Sequence, residues 1–243
     1  MRKFSVYLLL VFLTQSCYQE DVYIQPTGKL SKISTYAESS AVGTDKFFYY
    51  NQSGQIAKEV WKYTHNGEER GEIIYSYNSD GQLVEKDSQI YGRFGKERYT
   101  YDSEGKVIDL HAESGSFEFQ YDHLERLIYK KLYRPQNGEK NYSETYQYKY
   151  DTVHINNITE EIIGEVLQSI GTFQIDEHLK YYYNNNNQLE QKVLVDGSGW
   201  LNRSTKEFFE YDNQGRIIRI VHYDLHMYFD TGSDYTDFYY YYD

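Results

Sequence analysis

Aromatic residues recur two apart along this chain, each pair followed by a short polar stretch and then by an aliphatic residue. The clearest copies are Tyr99-Thr-Tyr-Asp-Ser-Glu-Gly-Lys-Val107 and Phe209-Glu-Tyr-Asp-Asn-Gln-Gly-Arg-Ile217. Tyr75–Leu83 and Tyr49–Ile56 keep the same order, and Phe119–Leu127 and Tyr181–Leu189 depart from it in the glycine. A half copy, Gly28-Lys-Leu30, comes before them, and another, Tyr240-Tyr-Tyr-Asp243, comes after. Residues two apart on a strand face the same side, so each aromatic pair marks one face. Asp or Asn then opens a turn, because its side-chain oxygen can accept the backbone N–H two residues on. The glycine three residues later supplies positive φ at little cost, and the next aliphatic residue starts a returning strand. Each unit is therefore expected to be a β-hairpin. Its turn residues are Asn51 and Gly54, Asn78 and Gly81, Asp102 and Gly105, Asp122, Asn184, and Asp212 and Gly215. Glu125 and Asn187 stand where the glycine would be, and Asn tolerates the left-handed region the better of the two.

The tyrosine before each turn falls at 50, 77, 101, 121, 150, 183, 211 and 242, so the spacing drifts between 20 and 33 residues. The Asp/Asn turns keep their length, whereas the opposite connections, such as 64–70 and 134–141, vary. The expected fold is all-β: an elongated antiparallel meander of repeated hairpins, forming a curved sheet that is open or partly rolled. Isolated hairpins are marginal, so the array has to be stabilised by its neighbours. Cross-strand aromatic pairs would add roughly 0.2–1 kcal/mol each. One stretch breaks the pattern. Across 159–170, Ile162, Ile163, Val166, Leu167 and Ile170 fall at helical spacing behind Glu160 and Glu161, which suits one short helix. Gly164 and the strand-like Phe173-Gln-Ile-Asp176 favour a strand, and both readings stay open.

The first residues have the parts of an export signal. Arg2 and Lys3 are cationic, Phe4 to Leu13 are mostly apolar, and Thr14-Gln-Ser16 lead to Cys17, the single cysteine of the chain. About ten apolar residues are too few to span a bilayer core, which needs roughly 20, and they fit a cleaved segment instead. The position of Cys17 resembles the lipobox cysteine of bacterial lipoproteins, with Thr14 at the place of the usual leucine. The resemblance implies a thiol consumed as a thioether to diacylglycerol and an acylated new amino terminus, giving a lipid anchor in the outer membrane. Glu20 and Asp21 resemble the surface-export signal of Bacteroidetes lipoproteins, which implies exposure at the cell surface. The expected organisation is a signal peptide at 1–16, a lipidated cysteine and tether at 17–27, and a β domain at 28–243.

The repeat itself resembles the YD-repeat (RHS-like) unit Tyr-x-Tyr-Asp-x-x-Gly-Arg-Leu, and the resemblance covers most of residues 28–243. It implies an extracellular β-sheet spiral of the kind often associated with carbohydrates or toxins. Large RHS proteins close such a sheet into a shell around a toxic C-terminal domain. This chain is short for that, so a shorter curved sheet is the expectation.

Composition supports the all-β reading: 30 Tyr and 12 Phe stand against 2 Pro. Aromatics suit pleated, half-buried surfaces, and a chain poor in proline keeps its ladder donors. A formal net charge of −12 and a pI near 5.1 exclude a phosphate-backbone partner, so no nucleic acid is expected. The mean hydropathy of −0.79, with Glu, Lys and Arg recurring through the strands, argues against a membrane-spanning barrel.

Little chemistry stands out. His222 and His226 sit four apart, which on a strand places them about 13 Å from each other. The acidic turns Asp102-Ser-Glu104 and Asn78-Ser-Asp80 are explained by turn formation. No nucleophile triad order and no phosphate-binding loop is present. The chain is therefore read as non-enzymatic, with no cofactor and no metal. Trp61 and Trp200 are the candidate ligand-stacking aromatics. The expected function is a lipid-anchored envelope module binding glycan or protein through its aromatic-rich sheet. A structural or immunity-type accessory lipoprotein is the alternative, and a hydrolase comes third.

Overall fold

The structure, a computed structural model, describes residues 26–37, 43–113, 115–136, 139–167, 172–197, 203–226 and 234–243. They form strands β1 (Leu30–Ala37), β2 (Thr44–Tyr50), β3 (Ile56–Tyr63), β4 (Glu69–Tyr77), β5 (Leu83–Ile90), β6 (Arg93–Tyr101), β7 (Val107–Ala112) and β8 (Gly115–Tyr121). There follow β9 (Leu127–Gln136), β10 (Glu139–Tyr150), β11 (Ile158–Leu167), β12 (Thr172–Tyr183), β13 (Leu189–Gly197), β14 (Arg203–Tyr211), β15 (Ile217–His226) and β16 (Asp234–Tyr242). Every strand pairs antiparallel with the one before it, and β1 pairs with β16. The sheet is thus a closed barrel of 16 strands, not the open or partly rolled sheet expected from the repeat.

The closure is made by the two half copies of the repeat. In a whole copy, the Asp102 N–H donates to the Lys106 carbonyl at 2.9 Å and the Gly105 N–H to the Asp102 carbonyl at 3.2 Å. At the seam, the Asp243 N–H donates to the Lys29 carbonyl at 3.1 Å and the Gly28 N–H donates to the Asp243 carbonyl. Tyr240-Tyr-Tyr-Asp243 and Gly28-Lys-Leu30 therefore assemble one further repeat from segments more than two hundred residues apart in sequence. Above that turn Ile33 lies opposite Tyr240 and Thr35 opposite Phe238. Closure pairs β1 with β16, the two strands that would be exposed edges of an open meander.

The short helix considered for 159–170 is not formed. Ile158–Leu167 is a strand, and no helix occurs among the described residues. Adjacent strand residues alternate, so Ile162 and Ile163 point to opposite sides of the wall. The register shifts between Ile163 and Gly164, and a Cβ at Gly164 would collide with the Gln174 backbone on β12. A two-sided strand with a bulge thus imitates helical spacing.

Alternation gives the wall two different faces. On β6, Lys96, Arg98 and Thr100 are exposed while Glu97 and Tyr99 are half-buried. The inner face carries the repeat aromatics together with the buried Phe48, Tyr50, Ile73, Ile90, Leu132 and Leu179. The outer face carries ion pairs between neighbouring strands: Glu85 with Lys96 and Arg98 (2.8 and 3.0 Å), Lys149 with Glu160 (2.6 Å), and Arg219 with Asp237 (2.9 Å).

A girdle of tyrosines ties the hairpins together at one end. Each repeat tyrosine donates its hydroxyl to the carbonyl of the aliphatic residue that starts the preceding returning strand. The pairs are Tyr50 with Leu30, Tyr77 with Ile56, Tyr101 with Leu83, Tyr121 with Val107, Tyr150 with Leu127, Tyr183 with Ile158, Tyr211 with Leu189 and Tyr242 with Ile217. All fall between 2.6 and 2.9 Å. The tyrosine of Tyr-Asp is thus a strap between hairpins, and the aliphatic of Gly-Arg-Leu supplies the carbonyl it holds.

Candidate functional site

The two rims of the barrel differ in kind. At the girdle end, the Oδ1 of Asp or Asn accepts backbone N–H groups across each turn. Asn51 takes that of Gln55; Asn78 takes those of Asp80 and Gln82; Asp102 takes those of Glu104 and Lys106. Asp122 takes those of Leu124 and Arg126, Asn184 those of Asn186 and Gln188, and Asp212 those of Gln214 and Arg216. Gly54, Gly81, Gly105 and Gly215 have φ between +74° and +86°, with Glu125 at 64° and Asn187 at 60° in the same role. At five of the turns the fourth residue after the Asp or Asn matches it in chemistry, while Lys106 after Asp102 pairs with Glu104 and Glu125 instead. Asn51, Asn78 and Asn184 donate to Gln55, Gln82 and Gln188, whereas Asp122 and Asp212 accept from Arg126 and Arg216. The Arg126 side chain beside Asp122 holds its carboxyl below the usual range, and bonds from Arg216, backbone first, do the same for Asp212. These residues build a rigid collar whose polar groups are spent on the fold.

The other rim opens on a cavity. It has a volume of about 680 Å³ and lies between β2 and β7. Lys46, Glu59, Trp61, Tyr75, Lys86 and Glu97 project into it from the inner face. The Trp61 indole Nε1–H donates to Glu59 at 3.1 Å, and the Tyr75 hydroxyl donates to the other Glu59 oxygen. The Lys46 ammonium sits 4.2 Å over the indole ring, within cation–π range. Lys86 pairs with Glu97 at 3.5 Å, and Tyr99 donates to the same carboxylate oxygen at 2.8 Å. Burial first, then the bond to Glu59, pushes the Tyr75 phenol well above its ordinary 10.0; Tyr99 behaves alike against Glu97. The site is an aromatic wall set among paired charges, at a size typical of small-molecule pockets, roughly 300–1,000 Å³.

The same Tyr-to-carboxylate unit continues round the lumen. Tyr146 donates to Glu144 and Tyr181 to Glu161, and burial raises both phenols. Burial pushes the Lys130 ammonium down, against the pull of Glu161, Glu144 and Glu97. His222 meets Glu207 at 3.2 Å, and that bond holds the Glu207 carboxyl below its ordinary value.

Of the residues singled out in the sequence, Trp61 is in the cavity, while the turn residues stand at the opposite rim. Cys17 and Trp200 lie outside the described residues. His222 and His226 are four positions apart on β15, and no metal-holding group of three or more His, Cys, Asp or Glu occurs among the described residues. Lys46, Glu59, Lys86 and Glu97 are not singled out by the repeat, and Tyr75 stands in it only as a structural aromatic. A signal was present: Glu97 lies two and four residues before the repeat aromatics Tyr99 and Tyr101, hence on the same face.

Comparison with known proteins places the fold. A porin-like protein from Bacteroides uniformis ATCC 8492 is similar in structure at a TM-score of 0.58, covering 90% of this chain and 100% of that one at 13% identity. The TcdB2-TccC3 structure matches at a TM-score of 0.34 and 14% identity, with 83% of this chain aligned to 14% of that one. No curated protein matches the chain in sequence. The Teneurin YD-shell family matches residues 13–134, half of the sequence. The matched half contains four of the Tyr-Asp or Tyr-Asn turns, at 50–54, 77–81, 101–105 and 121–125, and the unit recurs at 183 and 211 with the same bonds. With its repeats, its girdle and its family match in agreement, this chain belongs to the Teneurin YD-shell family.

Proposed function

We propose that this protein is a non-enzymatic binding module of the bacterial cell envelope, anchored through a lipid on Cys17, and that it takes a glycan ligand in the cavity at its irregular rim. The observation that carries the reading is the cavity itself: an indole and a phenol held in place by Glu59, with ammonium and carboxylate groups around them. Aromatic faces stack on the apolar faces of sugar rings, and the flanking charges offer donors and acceptors to hydroxyls. The aromatic rows on the inner wall are structural elsewhere, so the ligand surface is this rim and not the sheet as a whole.

The charged outer wall supports a barrel that stands in water. Burying Lys96, Arg98, Lys149 or Arg219 in hydrocarbon would cost roughly 2–4 kcal/mol each near the bilayer midplane. The membrane contact in this reading is the lipid at Cys17, not the wall.

Titration calorimetry of the protein with a panel of envelope and mucin-type oligosaccharides tests the ligand. Binding that weakens at least about tenfold in Trp61→Ala, roughly the loss of one stacking contact, supports the reading. No heat from any oligosaccharide, or equal binding by the variant, overturns it. Mass spectrometry of the mature amino terminus tests the anchor, because an unmodified Cys17 is incompatible with it.

A further inference from the structure

One turn of the regular rim departs from the others. Between Tyr150 and Ile158 the chain uses seven residues, Asp151-Thr-Val-His-Ile-Asn-Asn157, where its neighbours at 122–126 and 184–188 use five. The longer loop is braced from within and from both sides. Asp151 Oδ1 accepts the N–H groups of Val153 and His154 at 2.6 and 3.0 Å, and the Asn157 N–H donates to the His154 carbonyl at 2.8 Å. Arg126 reaches from one neighbouring turn to the Ile155 carbonyl at 2.8 Å, and Asn157 donates to Asn187 of the other at 2.6 Å.

What this bracing holds out to solvent is apolar. Val153 is 78% exposed and Ile155 48%, and Leu124 beside them is 46% exposed. The corresponding positions of other turns are Gln52-Ser53, Ser79-Asp80, Ser103-Glu104 and Asn213-Gln214. Three aliphatic side chains fixed outward on one sector of an otherwise polar collar form a contact surface.

The chain itself indicates the occupant. Pro26 and Gly28 lie at this same rim, bonded to Lys29 and Asp243, so the chain enters the barrel at this end. Cys17 is nine residues upstream of Pro26, a distance the chain spans in at most about 30 Å. We propose that Leu124, Val153 and Ile155 seat the regular rim on a zwitterionic lipid surface, which turns the opposite rim and its cavity away from the membrane. Acidic groups outnumber basic ones on the collar turns, with Asp80, Asp102, Glu104, Asp122, Glu125, Asp151 and Asp212 set against Lys106, Arg126 and Arg216, and this excess disfavours an anionic surface. The inference rests on the reading of Cys17 as the lipid attachment site.

The test uses the acylated protein in phosphatidylcholine vesicles that carry quenchers on the acyl chains. A fluorophore is placed at Thr152→Cys on the loop or at Asn66→Cys on the opposite rim. Quenching at 152 several-fold above that at 66, and reduced by V153D/I155D, supports the docking. Equal quenching at the two sites overturns it. If the protein does not float with vesicles, the anchor reading has failed, and the patch is then judged on the C17S chain alone. Vesicle binding that falls about tenfold in V153D/I155D supports the patch, since burial of those two side chains drives it. No binding by C17S, or binding that V153D/I155D leaves unchanged, overturns it.

Discussion

The two rims of this barrel are made by the same strands, yet they solve different problems. At the regular rim, five-residue turns repeat one bonding scheme at every whole copy but the seven-residue turn at 151–157, and tyrosine hydroxyls strap each hairpin to the one before it. At the other rim the connections vary; the turn after β3 is closed by the Tyr63 N–H on the Glu68 carbonyl at 2.9 Å and the Gly67 N–H on the Tyr63 carbonyl at 2.8 Å, and Asn66 accepts one backbone N–H, that of Glu68, at 2.9 Å. There the inner face opens on Trp61, Tyr75 and paired charges. The difference shows where the constraint lies. A repeat that fixes one end of every hairpin leaves the other end free to change length and chemistry, the usual division between scaffold and functional loops.

Cutting the seam is the strongest challenge to that picture. Removal of residues 240–243 takes away the Tyr242 strap, the Asp243 turn bonds and the end of the β1–β16 ladder. At roughly 1 kcal/mol net per hydrogen bond, and with β1 left unpaired beside the missing residues, the variant is expected to unfold at a lower temperature and with less cooperativity, and to associate through the opened part of the seam. A monomer of unchanged melting temperature by light scattering and circular dichroism would show that the seam does not hold the ring.

A smaller effect separates the rims directly. Asn184→Ala removes an acceptor of two backbone N–H groups at 2.9 and 3.0 Å and is expected to cost about 1–2 kcal/mol. Asn66→Ala, on the exposed opposite turn, is expected to cost only a few tenths of that. Urea midpoints of the two variants measure the contrast, and equal losses would remove the distinction between collar and loop.

The smallest expected effect concerns alkaline pH. Burial, then hydrogen bonds to Glu59, Glu97 and Glu161, raises the phenols of Tyr75, Tyr99 and Tyr181 above their ordinary 10.0. The folded state therefore holds these protons more tightly than the unfolded chain. Their stabilising contribution is complete below pH 10 and is lost as pH rises beyond it. Phenolate absorbance from these residues should appear together with unfolding and not ahead of it. A gradual rise in a protein that stays folded would place them in free contact with water.

Much of this architecture is legible in the sequence. The aromatic pair, the Asp or Asn and the glycine name the hairpin and its turn because each is a local requirement. The closed ring is harder to read, because closure depends on strand tilt and stagger across the whole sheet. Even so, Gly28-Lys-Leu30 and Tyr240-Tyr-Tyr-Asp243 are complementary halves of one unit. The stretch at 159–170 misleads because Ile162 and Ile163 serve two faces of one strand and Gly164 marks a bulge. The cavity is the least legible feature, since Lys46, Glu59 and Lys86 come together only through the register of β2, β3 and β5.

The split repeat at the seam also bears on how such barrels can vary in size. The closing bonds need only the end of one hairpin and the start of another, and they are indifferent to how many hairpins lie between. Duplication or loss of a whole repeat would leave the same two halves to meet. Circumference can therefore change by steps of two strands, and the lumen can widen or narrow with it, while the joint stays the same.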